Sequence, residues 1–249
     1  MVCDHKAGRV PVFVGITDSC FETSIELADQ AYAAGAAGLV AAPPYYLPMG
    51  QAELLSYTDR LASRCPLPLM LYNMPSCTKV EFAPTTVRQL ADHGNISGLK
   101  DSSGDLTYFA EVAQLCQDIP SFSLLVGPEE LLVDAMRLGA HGGVHGGANL
   151  FPQLYVELHA AVATGAENKT KKLHHHVSLI GETIYAVGDQ PSRILKGLKT
   201  AAHLMGLCED FVAEPFQRFD SEDRAVIAGH LKQILPAILP AEQVFVKEI

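Results

Sequence analysis

Six short apolar runs, at 10–16, 38–42, 67–72, 96–100, 122–126 and 142–147, recur roughly every thirty residues, and segments of helical pattern fill the gaps between them. Strand and helix alternating at that period read as βα units, and a run of such units makes a parallel sheet. The intervening helices are expected at Thr23–Ala34, Gln51–Arg64, Pro84–His93, Asp105–Asp118 and Pro128–Leu138. Their ends carry suitable residues: Asp18 and Ser19 precede the first helix, Gly35 follows it, and Gly94 follows the third. Ile25, Ala28 and Tyr32 fall at helical spacing and define one apolar face. The strands read apolar throughout, as buried parallel strands do.

Beyond residue 164 the pattern changes to helices only, at Asn168–Val187, Pro191–Leu207 and Ser221–Leu235. The expected organisation is a βα portion over 1–164 and a helical portion over 165–249, fused as one unit.

Two of the apolar runs end in residues able to do chemistry. Leu67–Pro75 finishes with Tyr72 before it breaks at Pro75, and Ile96–Asp105 carries Lys100 just before a polar turn. Taken alone, Lys100 reads equally well as a surface lysine at a strand end. If the two runs are neighbouring parallel strands, Tyr72 and Lys100 project from their carboxyl ends, where parallel sheets place their ligands. An amine in an apolar pocket loses its proton more easily, and a neutral amine attacks a ketone to form an imine. A phenol within hydrogen-bond reach is then a competent proton shuttle.

The residues around this pair form a longer pattern. Tyr72-Asn73-Met74-Pro75 is followed by Thr78, Phe82, Ile96 and the run Gly98-Leu99-Lys100-Asp101-Ser102. Ala42-Pro43-Pro44-Tyr45-Tyr46, Val126-Gly127-Pro128-Glu129 and the glycine-rich run Gly139–Asn149 also fit, each in its expected place along the chain. This pattern resembles the dihydrodipicolinate synthase / N-acetylneuraminate lyase family of Schiff-base aldolases over nearly the whole chain. The resemblance implies a TIM (β/α)8-type barrel with a C-terminal helical extension. Only six βα units are visible here, and the opening Met1–Val10 reads as the tail of a helix leading into the family's third strand. On that reading the barrel is N-terminally incomplete, by truncation or as a variant.

The resemblance further implies Lys100 as nucleophile and Tyr72 as proton shuttle. Tyr46 would cross a tight dimer interface to join the neighbouring subunit's relay, although a Pro-Tyr-Tyr loop is equally a rigid aromatic turn. Gly127 and Val144 would line the pocket through backbone groups, and Thr78 and Cys77 would belong to the loop after the tyrosine. The implied substrates are pyruvate or another 2-keto acid and an aldehyde, no cofactor is needed, and the assembly is a homotetramer built as a dimer of dimers. One departure bears on the aldehyde. Cys77 stands where dihydrodipicolinate synthases carry a carboxylate-binding arginine, and Lys79 replaces a glycine. A thiol cannot make the two-pronged contact of a guanidinium, so a sugar acid or small hydroxylated aldehyde is expected at least as readily as aspartate semialdehyde. The resemblance leaves dehydratase (carbon–oxygen lyase) chemistry through the same imine open as well, and a catalytically silent or truncated family member, acting as an oligomerisation or keto-acid-binding protein, is the alternative from another class.

Composition excludes other classes. The net charge of −10 opposes nonspecific nucleic-acid binding. With 48% hydrophobic and 18% charged residues and no apolar run long enough for a membrane span, a cytoplasmic enzyme is expected. Cysteines at 3, 20, 65, 77, 116 and 208 form no Cys-x-x-Cys pair, which favours reduced thiols over a zinc or disulfide framework. His174–His176 are consecutive and so diverge by about 100° on a helix, while His141 and His145 lie about 13 Å apart along a strand; no metal site is expected. His145 is either a substrate contact or a packed histidine.

Overall fold

The computed structural model describes residues 1–6, 8–240 and 245–247; residues 241–244 and 248–249 of the expected C-terminal helical portion lie outside the described residues. By internal contacts the chain divides into two compact units, Met1–Val144 and His145–Ile249. The division drawn on the sequence at 164/165 lies between two helices of the second unit.

The first unit contains α1 (Val2–Lys6), β1 (Phe13–Gly15), α2 (Phe21–Ala33), β2 (Gly38–Ala41), α3 (Gln51–Arg64), β3 (Leu69–Asn73) and the short α4 (Pro75–Thr78). It continues with α5 (Pro84–Ala91), β4 (Ile96–Asp101), α6 (Leu106–Cys116), β5 (Ser123–Val126), α7 (Leu132–Arg137) and β6 (Gly142–Gly143). All strands are parallel, and their spatial order is their chain order, β1 to β6. Right-handed crossovers in one unbroken direction put every crossover helix on the same face, and successive helices accordingly pack side by side, α2 on α3, α3 on α5, α5 on α6 and α6 on α7.

This one-sided cover explains the burial along the strands. Leu39, Leu69, Leu71 and Leu99 are fully buried, and Leu124 and Val126 nearly so. The alternate residues Val40, Tyr72, Lys100, Ser123 and Leu125 are only half-buried, as a strand period of two requires when one face is covered. Leu54, Leu61, Val87, Leu90, Phe109, Val112 and Leu132 supply the buried helical side chains.

Several sequence expectations need correction. The last strand spans Gly142–Gly143 rather than 142–147, because the chain turns into a short 3-10 segment at Gly147–Asn149. The N-cap of α2 is Cys20, whose amide is held by the Asp18 carboxylate. The buried face of α2 runs Ser24, Ile25, Ala28 and Ala31, while the bulky Tyr32 in its last turn is exposed. A further helix, absent from the sequence reading, spans Pro152–Ala163.

That helix, α8, opens the second unit and is followed by α9 (Glu167–Thr183), α10 (Arg193–Leu204) and α11 (Ser221–Ile238). α8 packs on α9, and α11 packs on both α9 and α10. α11 runs through Pro236 to Ile238, past the expected stop at Leu235. Among the described residues no helix is long and apolar enough to cross a membrane.

Candidate active site

β3 and β4 place the candidate residues side by side. Their register pairs Leu71 with Leu99, Tyr72 with Lys100 and Asn73 with Asp101. Register partners on parallel strands share a face, so Tyr72 and Lys100 stand on the accessible face and the residues flanking them turn to the helix-covered one. The Lys100 ammonium lies 4.4 Å from the centroid of the Tyr72 ring. That distance is within cation–π range, and both residues are half-buried.

The next register pair is polar and buried. Asn73 is fully buried and Asp101 is 2% exposed. Asn73 Nδ2 donates to Asp101 Oδ1 at 2.9 Å, and Asn73 Oδ1 accepts the Phe82 amide at 3.2 Å. Asp101 also accepts the Ser103 amide at 3.1 Å and the Ser103 hydroxyl at 2.9 Å. Burial pushes the Asp101 carboxyl above the usual aspartate range, partly opposed by the bonds from Asn73 and Ser103. Backbone bonds extend the link: the Ser102 amide donates to the Asn73 carbonyl at 2.8 Å, and the Gly127 amide to the Asp101 carbonyl at 2.7 Å. Sequence reading assigned no role to Asn73 or Asp101, although both lie inside the motif that carries Tyr72 and Lys100.

The remaining sequence candidates in this unit lie past the carboxyl ends of the strands, in loops or in the short α4. Gly127 follows β5, and a Cβ there would meet Ser102 Oγ at 1.9 Å, so the close approach of the two loops requires glycine. Val144 follows β6, donates its amide to the Val126 carbonyl at 2.9 Å and is 53% exposed. Thr78 is buried, with its hydroxyl 2.7 Å from the Val80 carbonyl and 3.1 Å from that of Met74. Cys77 is exposed in the same turn. Lys79 closes α4 in the left-handed region at φ 60°, and its ammonium donates to the Ser76 carbonyl at 2.9 Å. Tyr46 is 81% exposed in the loop after β2. His145 belongs to the second unit, where it is buried with its ring 5.2 Å from that of Tyr155.

All six cysteines are free thiols. His203, Glu209 and Asp210 form a group with metal-ligand spacing. The buried Asp210 carboxylate is already paired with Arg218 and Arg224, which neutralise the charge a cation would need.

A six-stranded parallel sheet wound in one direction, with a lysine and a phenol in register at its carboxyl end, defines a βα protein of the barrel type. Comparison with known proteins gives the family. The model of the dihydrodipicolinate synthetase family matches residues 1–234. A 4-hydroxy-tetrahydrodipicolinate synthase from Geobacter metallireducens is 32% identical over 232 residues, covering 93% of this chain and 78% of that protein. The solved structure of dihydrodipicolinate synthase from Bacteroides thetaiotaomicron superposes with a TM-score of 0.90 at 45% identity, covering 93% of this chain and 78% of the other. YagE from Escherichia coli, a putative 2-dehydro-3-deoxy-D-gluconate aldolase, is 34% identical over 69% of this chain and 57% of its own length. Its structure in complex with pyruvate superposes with a TM-score of 0.87 at 30% identity, covering 94% of this chain and 78% of that one. The chain belongs to the dihydrodipicolinate synthetase family and is a lyase of that family.

Proposed function

We propose that this protein is a Schiff-base lyase or aldolase acting on pyruvate or a related 2-keto acid, with Lys100 as nucleophile and Tyr72 as proton shuttle. The observation that carries the reading is the register pairing of Tyr72 with Lys100 on the accessible face, with the ammonium 4.4 Å from the ring centroid. Family membership and the pyruvate complex of YagE support the keto acid.

In this reading the neutral Lys100 amine adds to the keto carbon, a C–N bond forms and water leaves. Tyr72 gives its phenol proton to the departing hydroxyl, the iminium draws electrons from the neighbouring carbon, and the Tyr72 phenolate takes that carbon's proton to leave an enamine and a restored phenol. The enamine carbon attacks the aldehyde carbonyl, a C–C bond forms, the new alkoxide takes a proton, and hydrolysis of the imine returns the lysine. The imine is itself the electron sink, so the cycle needs no cofactor.

Gly127 and Val144 are assigned to the pocket rim and Thr78 and Cys77 to the loop beside it, in keeping with their places at the strand ends. Tyr46, exposed in the loop after β2, is assigned to the relay of a second subunit in a homotetramer of paired dimers. The architecture is read as a barrel of the (β/α)8 type, with the C-terminal helical portion as its extension. Cys77 in place of a guanidinium makes a sugar-acid or small hydroxylated aldehyde partner at least as fitting as aspartate semialdehyde.

The test is exchange of the pyruvate methyl protons with deuterated water, followed by proton NMR. Wild-type protein should accelerate exchange, Tyr72→Phe should slow it strongly, and Lys100→Ala should abolish it. Wild-type exchange at the buffer rate would overturn the reading.

A further inference from the structure

We infer that Asn73 and Asp101 are positioning residues for the Lys100–Tyr72 pair, their buried amide–carboxylate bond fixing the spacing and rotation of the two strand ends from which amine and phenol project. The inference rests on the imine reading above. Each of the two residues directly follows a candidate reacting group, and they face each other in the next register pair.

Through them five segments are fastened together. The loop at Phe82 holds Asn73, Asn73 holds Asp101, and Asp101 holds the turn at Ser103. The Asp101 carbonyl holds Gly127 at the end of β5, and the Asn73 carbonyl holds Ser102.

Economy of folding does not explain this arrangement. The Asp101 carboxylate is held by the neutral donors of Asn73 and Ser103. A buried charge is a poor source of stability, and apolar groups of similar size commonly do as well or better. Positional accuracy does explain it. Imine formation and the proton transfer that follows need two side chains held to a fraction of an ångström, and displacement by about 1 Å can cost about a hundredfold in rate.

The experiment is the rate of borohydride-trapped pyruvate adduct at Lys100 as a function of pyruvate concentration, in wild type, Asn73→Asp, Asp101→Asn and the double exchange. Folding is checked by circular dichroism and thermal unfolding. Each single variant should trap about tenfold or more slowly at saturating pyruvate, with the half-saturating concentration little changed. The double exchange should recover part of the rate, because a carboxylate at position 73 can accept both the Phe82 amide and the side-chain amide introduced at position 101, although that amide no longer accepts the Ser103 N–H at the same atom. Ser103→Ala removes the hydroxyl's bond to Asp101 and the one it accepts from the Asp105 amide, keeps the Ser103 amide bond, and carries the test where a single variant does not fold; about a threefold loss is expected. Folded variants trapping at the wild-type rate, or a double exchange no better than the singles, would overturn the inference while leaving the imine reading intact. Absence of any adduct in wild type would overturn both.

Discussion

Gly98 lies two residues before Lys100, where β4 and β5 make a close backbone approach. A Cβ at Gly98 would stand 2.1 Å from the Ser123 carbonyl oxygen, 2.9 Å from its carbon and 3.0 Å from its nitrogen. All three are backbone atoms, so no side-chain rotation relieves the contact. Ordinary contact begins near 3.4 Å, and Gly98→Ala therefore demands that the strands part by about 1.3 Å. Overpacking of this kind costs about 1–3 kcal/mol. Stretching the flanking ladder bonds, each worth about 0.5–1.5 kcal/mol net, adds to that. A total of about 3 kcal/mol is a large share of the roughly 5–15 kcal/mol typical of a whole domain. The assay is urea unfolding followed by circular dichroism, with Gly94→Ala as the control because a Cβ there meets nothing within 4 Å. Gly98→Ala should lower the midpoint well below wild type and Gly94→Ala should leave it nearly unchanged. A Gly98→Ala stability within about 0.5 kcal/mol of wild type would refute the reasoning.

Two further predictions concern the same region. Lys79 holds a left-handed conformation that costs a side chain about 1–2 kcal/mol, whereas glycine there loses about 0.5–1 kcal/mol through the freedom of the unfolded chain; Lys79→Gly should stabilise the fold by about 0.5 kcal/mol net in urea unfolding, and a clear fall would contradict the assignment of strain. Burial raises the Asp101 carboxyl in the folded protein, so the folded state holds that proton more tightly than the unfolded chain does. The stability this group contributes is full below the ordinary aspartate value of about 3.9 and is lost as pH rises through the raised folded value. The difference in unfolding free energy between wild type and Asp101→Asn should therefore shift against wild type over that window, and a pH-independent difference would contradict the burial argument.

The six βα units and the Tyr72–Lys100 neighbourhood were legible because period and strand-end chemistry are written locally. α3 falls at Gln51–Arg64 as the sequence reading placed it. The pairing of Asn73 with Asp101 was not legible, since it depends on a β3–β4 register that shifts at Leu69/Met70. α8 was obscured by the glycine-rich run before it, although Leu154, Tyr155, Leu158 and Ala161 are buried at helical spacing. Gly98 reads as an ordinary strand residue until the neighbouring backbone of Ser123 is in place, and the close approach of Gly127 to Ser102 is likewise not written in the sequence.

Covalent capture at Lys100 tests the central claim most directly. The protein is incubated with pyruvate, reduced with borohydride, digested and mapped by peptide mass spectrometry, beside Lys100→Ala and Lys100→Arg. The account predicts a reduced pyruvate adduct on the peptide containing Lys100 and none in either variant. An adduct scattered over surface lysines, or none in the folded wild-type protein, would contradict it.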